Sequence, residues 1–477
     1  RDFEDGTYTN SVSESPSHGN GLFFRLGATY HITDKDDVAA NGFAMFGHNR
    51  GHSTTDYTSN VPGNWLTNLD KSRNRGDHRG AHAEVSYTHK WRDNHLLDIT
   101  GSYNNWSGPN WRSYLQDIKY ADREDLIYQE QNMDMSNRSF EVKVDYTNQF
   151  NEWMKLEAGY NGNYGKENTP TDTYTGTSPS DMTQDEALYN RFIYKNDISA
   201  FYATLGGKVK NFSFSAGLRA ETWQVRTRSL GFGQTENDIE EFKKNNFALF
   251  PSAFLSWSLP HDNEMQINYT RRLRRPWGGM LNSFHDISDP TNISYGNPEL
   301  EPMYSNAFEL NYIKSWTFHM LSLSAYMRTS TNMMNRISYL DGDVMYTTWA
   351  NVADQVNSGC EIVMKNSLFR SRLDLTTTVN LYNNHISAWK YDFKAESGNL
   401  IPLSGEKQNS FAWDARMMAN VRLPWSLSLQ ATGNYNSKML SAQGSRQGGW
   451  SVDLGMRRVF GAWSFSLNCR DLFDSRR

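Results

Sequence analysis

Apolar runs long enough to cross a bilayer as helices are missing. No stretch of about eighteen or more hydrophobic residues occurs in the 477 residues, so helical membrane spans are excluded. A surplus of one charge is missing too. Lys and Arg number 48 against 53 Asp and Glu, for a net charge of -5 with no long basic run, and nucleic acid is therefore not an expected partner. The two cysteines, Cys360 and Cys469, lie far apart in strand-like runs, which excludes a disulfide framework and a cysteine metal site. Zincin, nucleophile-elbow, phosphate-loop, dinucleotide and CxxC motifs are all absent. No catalytic residue, metal or cofactor is assigned, and the protein is read as a non-enzyme. The acids of Asp341-Gly-Asp343 read as a turn in preference to a Ca²⁺ site.

What is present is aromatic. Phe, Trp and Tyr reach 14%, although hydrophobic residues are only 38% and mean hydropathy is -0.73. A disordered chain would lack those rings. A transmembrane β-barrel accounts for both figures, because every second residue faces lipid while the lumen stays polar. A soluble extracellular all-β protein is the alternative on composition alone.

Residues 1–20 are polar and read as a loop or frayed end, and residues 21–477 as the barrel domain. From Leu22 the apolar residues Leu22, Phe24, Leu26, Ala28 and Tyr30 alternate with Phe23, Arg25, Gly27 and Thr29, the period of a strand with two unlike faces. About eighteen such strands follow, joined alternately by tight turns and long polar loops, among them roughly 49–77, 105–137 and 166–189. Short turns at one end and elaborated loops at the other are the asymmetry of an outer-membrane barrel. Aromatics gather near the short-turn end, at Tyr30, Trp91, Tyr146, Trp257, Trp316, Trp425 and Trp463, as an interfacial girdle would. The opposite face carries charges of both signs, read as ion pairs of the lumen wall.

One hairpin stands out by its wording. Asn268-Tyr-Thr-Arg-Arg-Leu-Arg-Arg-Pro276 leads through Asp289-Pro290, Gly296-Asn-Pro298, Leu300 and Pro302 to Asn306-Ala-Phe-Glu-Leu310. The stretch resembles the barrel of TonB-dependent receptors, most of all the outer-membrane β-barrel branch abundant in Bacteroidetes. The closing Asp471-Leu-Phe-Asp is similar to that family's ending. The resemblance covers the whole chain in pattern and about fifty residues in motif. It implies a Gram-negative outer-membrane protein with a twenty-two-stranded barrel, an N-terminal plug and a TonB box. The chain starts Arg-Asp-Phe-Glu-Asp without a signal-peptide pattern, so a processed or internal start is expected.

The function implied is uptake of a scarce nutrient through a plugged barrel, with outer-membrane lipid as surroundings and the TonB complex as partner if plug and TonB box lie upstream. A non-transporting barrel that scaffolds a surface or secretion complex, docking a lipoprotein or another outer-membrane protein, is the alternative, and a passive porin is a third. Candidate ligand-binding residues are Arg272 and Arg274 at the lumen mouth and the loop aromatics Trp106, Trp111, Trp277, Tyr295 and Trp349, with Trp65 of the same class. Guanidinium groups grip anions and rings stack on sugars or siderophores. Arg271, of opposite parity to Arg272, is a candidate for lipid phosphate. Ordinary loop packing and rim ion pairs are the competing reading of all of them.

Overall fold

Backbone groups that face hydrocarbon must bond to a neighbouring strand, and here they do so in one antiparallel sheet of 20 strands. The computed structural model describes residues 9–59, 67–285, 292–341, 344–394, 398–441 and 444–475. Two of the 20 strands, Thr9–Glu14 and Thr183–Gln184, are short strips bonded to a single neighbour. The remaining eighteen form the wall, from Ser17–His31 to Trp463–Cys469, and neighbours in the chain are neighbours in the sheet. The expected strand number is therefore met.

The reading of residues 1–20 as a loop is corrected from Thr9 onward. Thr9–Glu14 bonds to Asp36–Ser59, and the first wall strand already begins at Ser17. Polar residues join the sheet there because a long neighbouring strand offers them backbone partners. The first and last wall strands each have one paired neighbour among the described residues, and their side chains are exposed along their full length. The twenty-two strands implied by the resemblance exceed this wall by four.

Nine tight turns close one end of the wall. In the three-residue turn Pro260-His-Asp262 before Asn263, His261 and Asp262 both adopt left-handed φ, 61° and 56°. At the other end several expected loops prove to be strand. Thr67–Arg92, His95–Lys119 and Glu124–Asn151 run 26, 25 and 28 residues, far beyond the roughly ten that cross a bilayer. Residues 105–137 are thus two paired strands reversing at Tyr120–Arg123, where the Tyr120 amide donates to the Arg123 carbonyl at 2.8 Å. Trp106 and Trp111 are strand residues and not loop aromatics. Trp65, Asp289-Pro290 and the Gly342-Asp343 pair lie outside the described residues. On either side of that pair Met334–Asp341 bonds to Val344–Asn351 as a small hairpin, as the turn read at Asp341 requires.

The two faces separate as the alternation requires. Leu26, Phe201, Phe247 and Ile267 are more than half exposed on the outer face, where lipid would cover them. Near the turns Trp257 stacks on Phe212 at 5.4 Å, and Trp91 lies 4.5 Å from His95, so girdle aromatics meet across neighbouring strands at these two places. On the inner face Lys143 pairs with Asp145 at 2.6 Å, Arg328 with Glu309 at 3.0 Å and Arg422 with Asp374 at 2.7 Å. Other inner carboxylates take amide donors, Glu84 from Asn41 and Glu141 from Asn161.

One outer loop is tied by a single carboxylate. Asp181 accepts from the Thr177 hydroxyl at 2.6 Å and from the Ser178 amide and hydroxyl at 2.6 and 2.9 Å, and these donors hold its carboxyl down at about 2. Because the folded value lies below the ordinary value of about 3.9, the contribution is complete above pH ~4 and vanishes as pH falls through ~2. The protection of the amides of residues 177–181, measured against their intrinsic exchange rates, should fall over that window. Asp181→Asn should show low protection that no longer changes between pH ~4 and ~2, and an unchanged protection in D181N at pH 7 would refute the assignment.

Candidate functional site

The site is built where the family-like hairpin loop meets the inner wall. On strands Asn190–Val209 and Phe212–Leu230 the inward positions are Phe192, Tyr194 and Ile198, and Glu221, Trp223 and Val225. Apart from Glu221 these are apolar or aromatic, at a height where a water-filled lumen would favour polar groups. The described parts of the loop between Arg275 and Pro302, residues 275–285 and 292–302, fill that hollow. Met280, Leu281 and Leu300 pack on Phe192, Trp223 and Val225, and all six are at most 4% exposed. Burial of three loop side chains is worth several kcal/mol.

Each motif residue has a local reason. Arg275 enters beside Glu221, ion-pairs with it, and lies 5.7 Å over the Trp223 ring. Glu221, whose side chain is 7% exposed, also pairs with Arg219 at 2.9 Å, so one buried carboxylate is held by two guanidiniums. Pro276 and Pro302 are fully buried at the two ends of the loop. A Cβ on Gly296 would stand 2.7 Å from the Met280 and Asn282 carbonyl oxygens, which excludes any other residue there. Asn297 donates from Nδ2 to the Trp349 carbonyl at 3.0 Å and accepts the Glu299 amide at 2.9 Å. The motif that identifies the hairpin is thus the set of residues that seats the loop.

Two further hairpins complete a cap. Asn292–Ser294 runs parallel to Val344–Asn351, and Ile337, Ala350 and Val352 of the 334–352 segment pack against Trp389, Tyr391 and Leu403 of a hairpin from the next outer loop. Between this cap and the inner face of the long strands lies a cavity of about 360 Å³. Tyr295 and Trp349 line it together with Arg112, Arg336, Phe284 and Met133. The Tyr295 ring stacks on His285 at 4.3 Å, and its hydroxyl is 2.9 Å from that of Tyr339. Arg112 and Arg336 are exposed and have no ion pair with a described residue. Two such guanidiniums beside aromatic surfaces suit an anionic, ring-bearing ligand.

Of the sequence candidates, only Tyr295 and Trp349 meet in this cavity. Trp277 sits 60% exposed at the start of the short Gly278–Leu281 helix. Arg272 lies in a separate inner-wall hollow with Glu309 and Asn268, and Arg274 is exposed at the strand end. Arg271 has the outward parity expected of it and stacks over Tyr304 at 5.1 Å. Trp106 faces inward 6.4 Å from Phe43, whereas Trp111 faces outward beneath Arg75 at 5.7 Å. Arg112, Arg336 and Glu221 were not singled out as ligand or anchor residues. Arg112 follows an aromatic candidate by one position and hence occupies the opposite face, the one signal that could have found it.

No curated protein matches the sequence. Solved structures share the fold at low identity. The siderophore receptor PiuA from Acinetobacter baumannii is 10% identical with a TM-score of 0.59, the match covering 99% of this chain and 78% of that one. The ferric-catecholate import receptor Fiu from E. coli K12 is 12% identical with a TM-score of 0.56, covering 97% and 77%. The copper transporter OprC is 10% identical with a TM-score of 0.54, covering 97% and 77%. Nothing in these matches bears on a Bacteroidetes origin. The model of the outer membrane protein beta-barrel family matches residues 88–477, most of the chain. The wall, the asymmetric ends and this match agree: the chain belongs to the outer membrane protein beta-barrel family and resides in the Gram-negative outer membrane.

Proposed function

We propose that this chain is the barrel of a TonB-dependent receptor that captures a scarce nutrient at the cell surface, and that the nutrient is an anionic, ring-bearing complex of the ferric-siderophore kind. The observation that carries the reading is the capped cavity, where Arg112 and Arg336 face the same space as Tyr295 and Trp349. A passive pore has no need of an apolar seat that pins a long loop into its mouth. Receptors of similar fold are described as siderophore and ferric-catecholate receptors, which supports the ligand class. Energy for passage would come from the TonB complex acting through a plug. The role is binding and passage, with no chemical step.

The test is equilibrium binding by the purified protein in detergent, with ferric catecholates compared against uncharged ferric complexes and cobalamin. The wild type should prefer the anionic ligands. The R112Q/R336Q double variant should lose roughly 2 kcal/mol, about thirtyfold, for anionic ligands and little for neutral ones. Equal affinity for neutral and anionic complexes, or an unaffected double variant, would sink the proposal.

A further inference from the structure

Arg336 rides on a small sheet whose two faces are unlike. Met334–Asp341 and Val344–Asn351 set Arg336 opposite Trp349 and Ser338 opposite Thr347, and Arg336, Thr347 and Trp349 line the cavity. The alternate positions Ile337, Tyr339, Thr348 and Ala350 form the other face and are at most 3% exposed. A hairpin of the next outer loop covers that face. Trp389–Lys394 bonds to Leu400–Gly405, and the half-buried Trp389, Tyr391 and Phe393 alternate with the exposed Lys390, Asp392 and Lys394. The Phe393 ring lies 4.5 Å from that of Tyr339, and Trp389, Tyr391 and Leu403 complete the contact. Trp389 lies across Gly405, where a Cβ would collide with the indole. No described residue of this hairpin lines the cavity.

The other contacts of the small sheet leave one motion open. Its strand order is Asn292–Ser294, Val344–Asn351, Met334–Asp341, so Arg336 stands on the strand farthest from the loop that carries Tyr295. Loop and sheet are joined along the middle strand, where the Tyr295 amide donates to the Thr347 carbonyl at 3.1 Å and Asn297 to that of Trp349. Met334 and Trp349 pack on the loop seat and hold the base. Bonds in one row stop a sheet from sliding, but its tilt about that row is set by the layer packed on its face. Arg112, by contrast, sits on a wall strand bonded on both sides, opposite Asn74 and Gln131. The spacing of the two guanidiniums therefore follows the tilt of the small sheet.

We infer that the hairpin of residues 389–394 and 400–405 determines the specificity of the capture site from outside it: Phe393 and Leu403 are positioning residues that fix how far Arg336 stands from Arg112, and hence which anions both can grip at once. Simultaneous contact by two guanidiniums is sensitive to their separation, since each bond is directional. The consequence for binding rests on the function proposed above. The geometric part stands without it.

The experiment has a ligand-free arm and a binding arm, both on the purified protein in detergent. Spin labels at R112C and R336C, with the two native cysteines removed as C360S and C469S, report the spacing by double electron–electron resonance. With Phe393 in place the distance distribution should be narrow. F393A should broaden or shift it, and F393L, which restores an apolar contact, should bring most of it back. In the binding arm F393A should weaken a ferric catecholate about tenfold, whereas in an R336Q background it should cost less than about twofold, because the group it displaces is already gone. Heat-modifiable migration in gels and protection of the 275–302 loop from proteinase K show that barrel and seat are intact. Should F393A fail either check, L403A takes its place. An unchanged distance distribution in a folded variant would overturn the inference. So would an equal loss of affinity with and without Arg336, which would mark the hairpin as general support for the cap. A shifted distance in a protein that binds neutral and anionic complexes alike would uphold the positioning and overturn the ligand reading of Arg112 and Arg336 instead.

Discussion

Glu221→Ala is expected to release the 275–302 loop from the wall. Glu221 is the shared acceptor for Arg219 and Arg275, and its removal leaves both guanidiniums without their carboxylate in a largely buried setting. Breaking a buried pair from one side costs about 3–5 kcal/mol. The wall strands keep their own backbone bonds, so the loss falls on the loop. Proteinase K should then cut within the loop in E221A but not in the wild type, with the barrel still heat-modifiable. Ligand affinity should fall with the cavity, since Tyr295 and Gly296 belong to the same loop. Glu221→Gln, which keeps an acceptor, should lie between the two. If E221A protects the loop as well as the wild type does, the ion pair is not its anchor.

Leu300→Ala tests the apolar half of the same seat. Leu300 is 1% exposed among Trp223, Val225, Met280 and Leu281, and truncating a leucine in such a place costs about 2–5 kcal/mol according to how far the cavity collapses. The Arg275 to Glu221 pair stays intact in this variant, so the two substitutions separate charge from packing. Both act on one loop, and the double variant should therefore be less damaged than the sum of the single ones. Urea unfolding of the loop, followed through Trp223 and Trp349 fluorescence, would read the shift. A midpoint unchanged from wild type would mean that the loop does not depend on this contact.

These two predictions recast the family motif. Pro276, Gly296, Asn297, Leu300 and Pro302 stand out in the sequence as a signature, and nothing local says whether they bind cargo or hold structure. The structure assigns them to holding: buried prolines, a glycine with no room for Cβ, an asparagine bonded to the Trp349 carbonyl. The ligand candidates beside them were legible only in part. Tyr295 and Trp349 stand out because aromatics in a long polar stretch are conspicuous in a sequence. Arg112 was not, because above the hydrocarbon both faces of a strand are wet and the apolar contrast that marks a face disappears. For the same reason Trp106 and Trp111, five residues apart on one strand, could not be told to opposite faces.

Within the membrane the opposite holds. Hydrocarbon on one side and water on the other impose a period of two on every strand, and the alternation of Leu22 to Tyr30, of Phe212 to Ala220 and of Met265 to Tyr269 is enough to count the wall and orient it. Connection lengths are local as well, and they reveal which end is trimmed. The sequence alone therefore determined the barrel, its direction and its family. Which residues meet across the mouth was left to tertiary structure, because that depends on strand register and on a loop folding back onto the wall some fifty residues away in the chain, as Arg275 does on Glu221. No periodicity encodes such a contact; it is decided when apolar side chains of the loop find an apolar hollow on the inner wall that would otherwise face water.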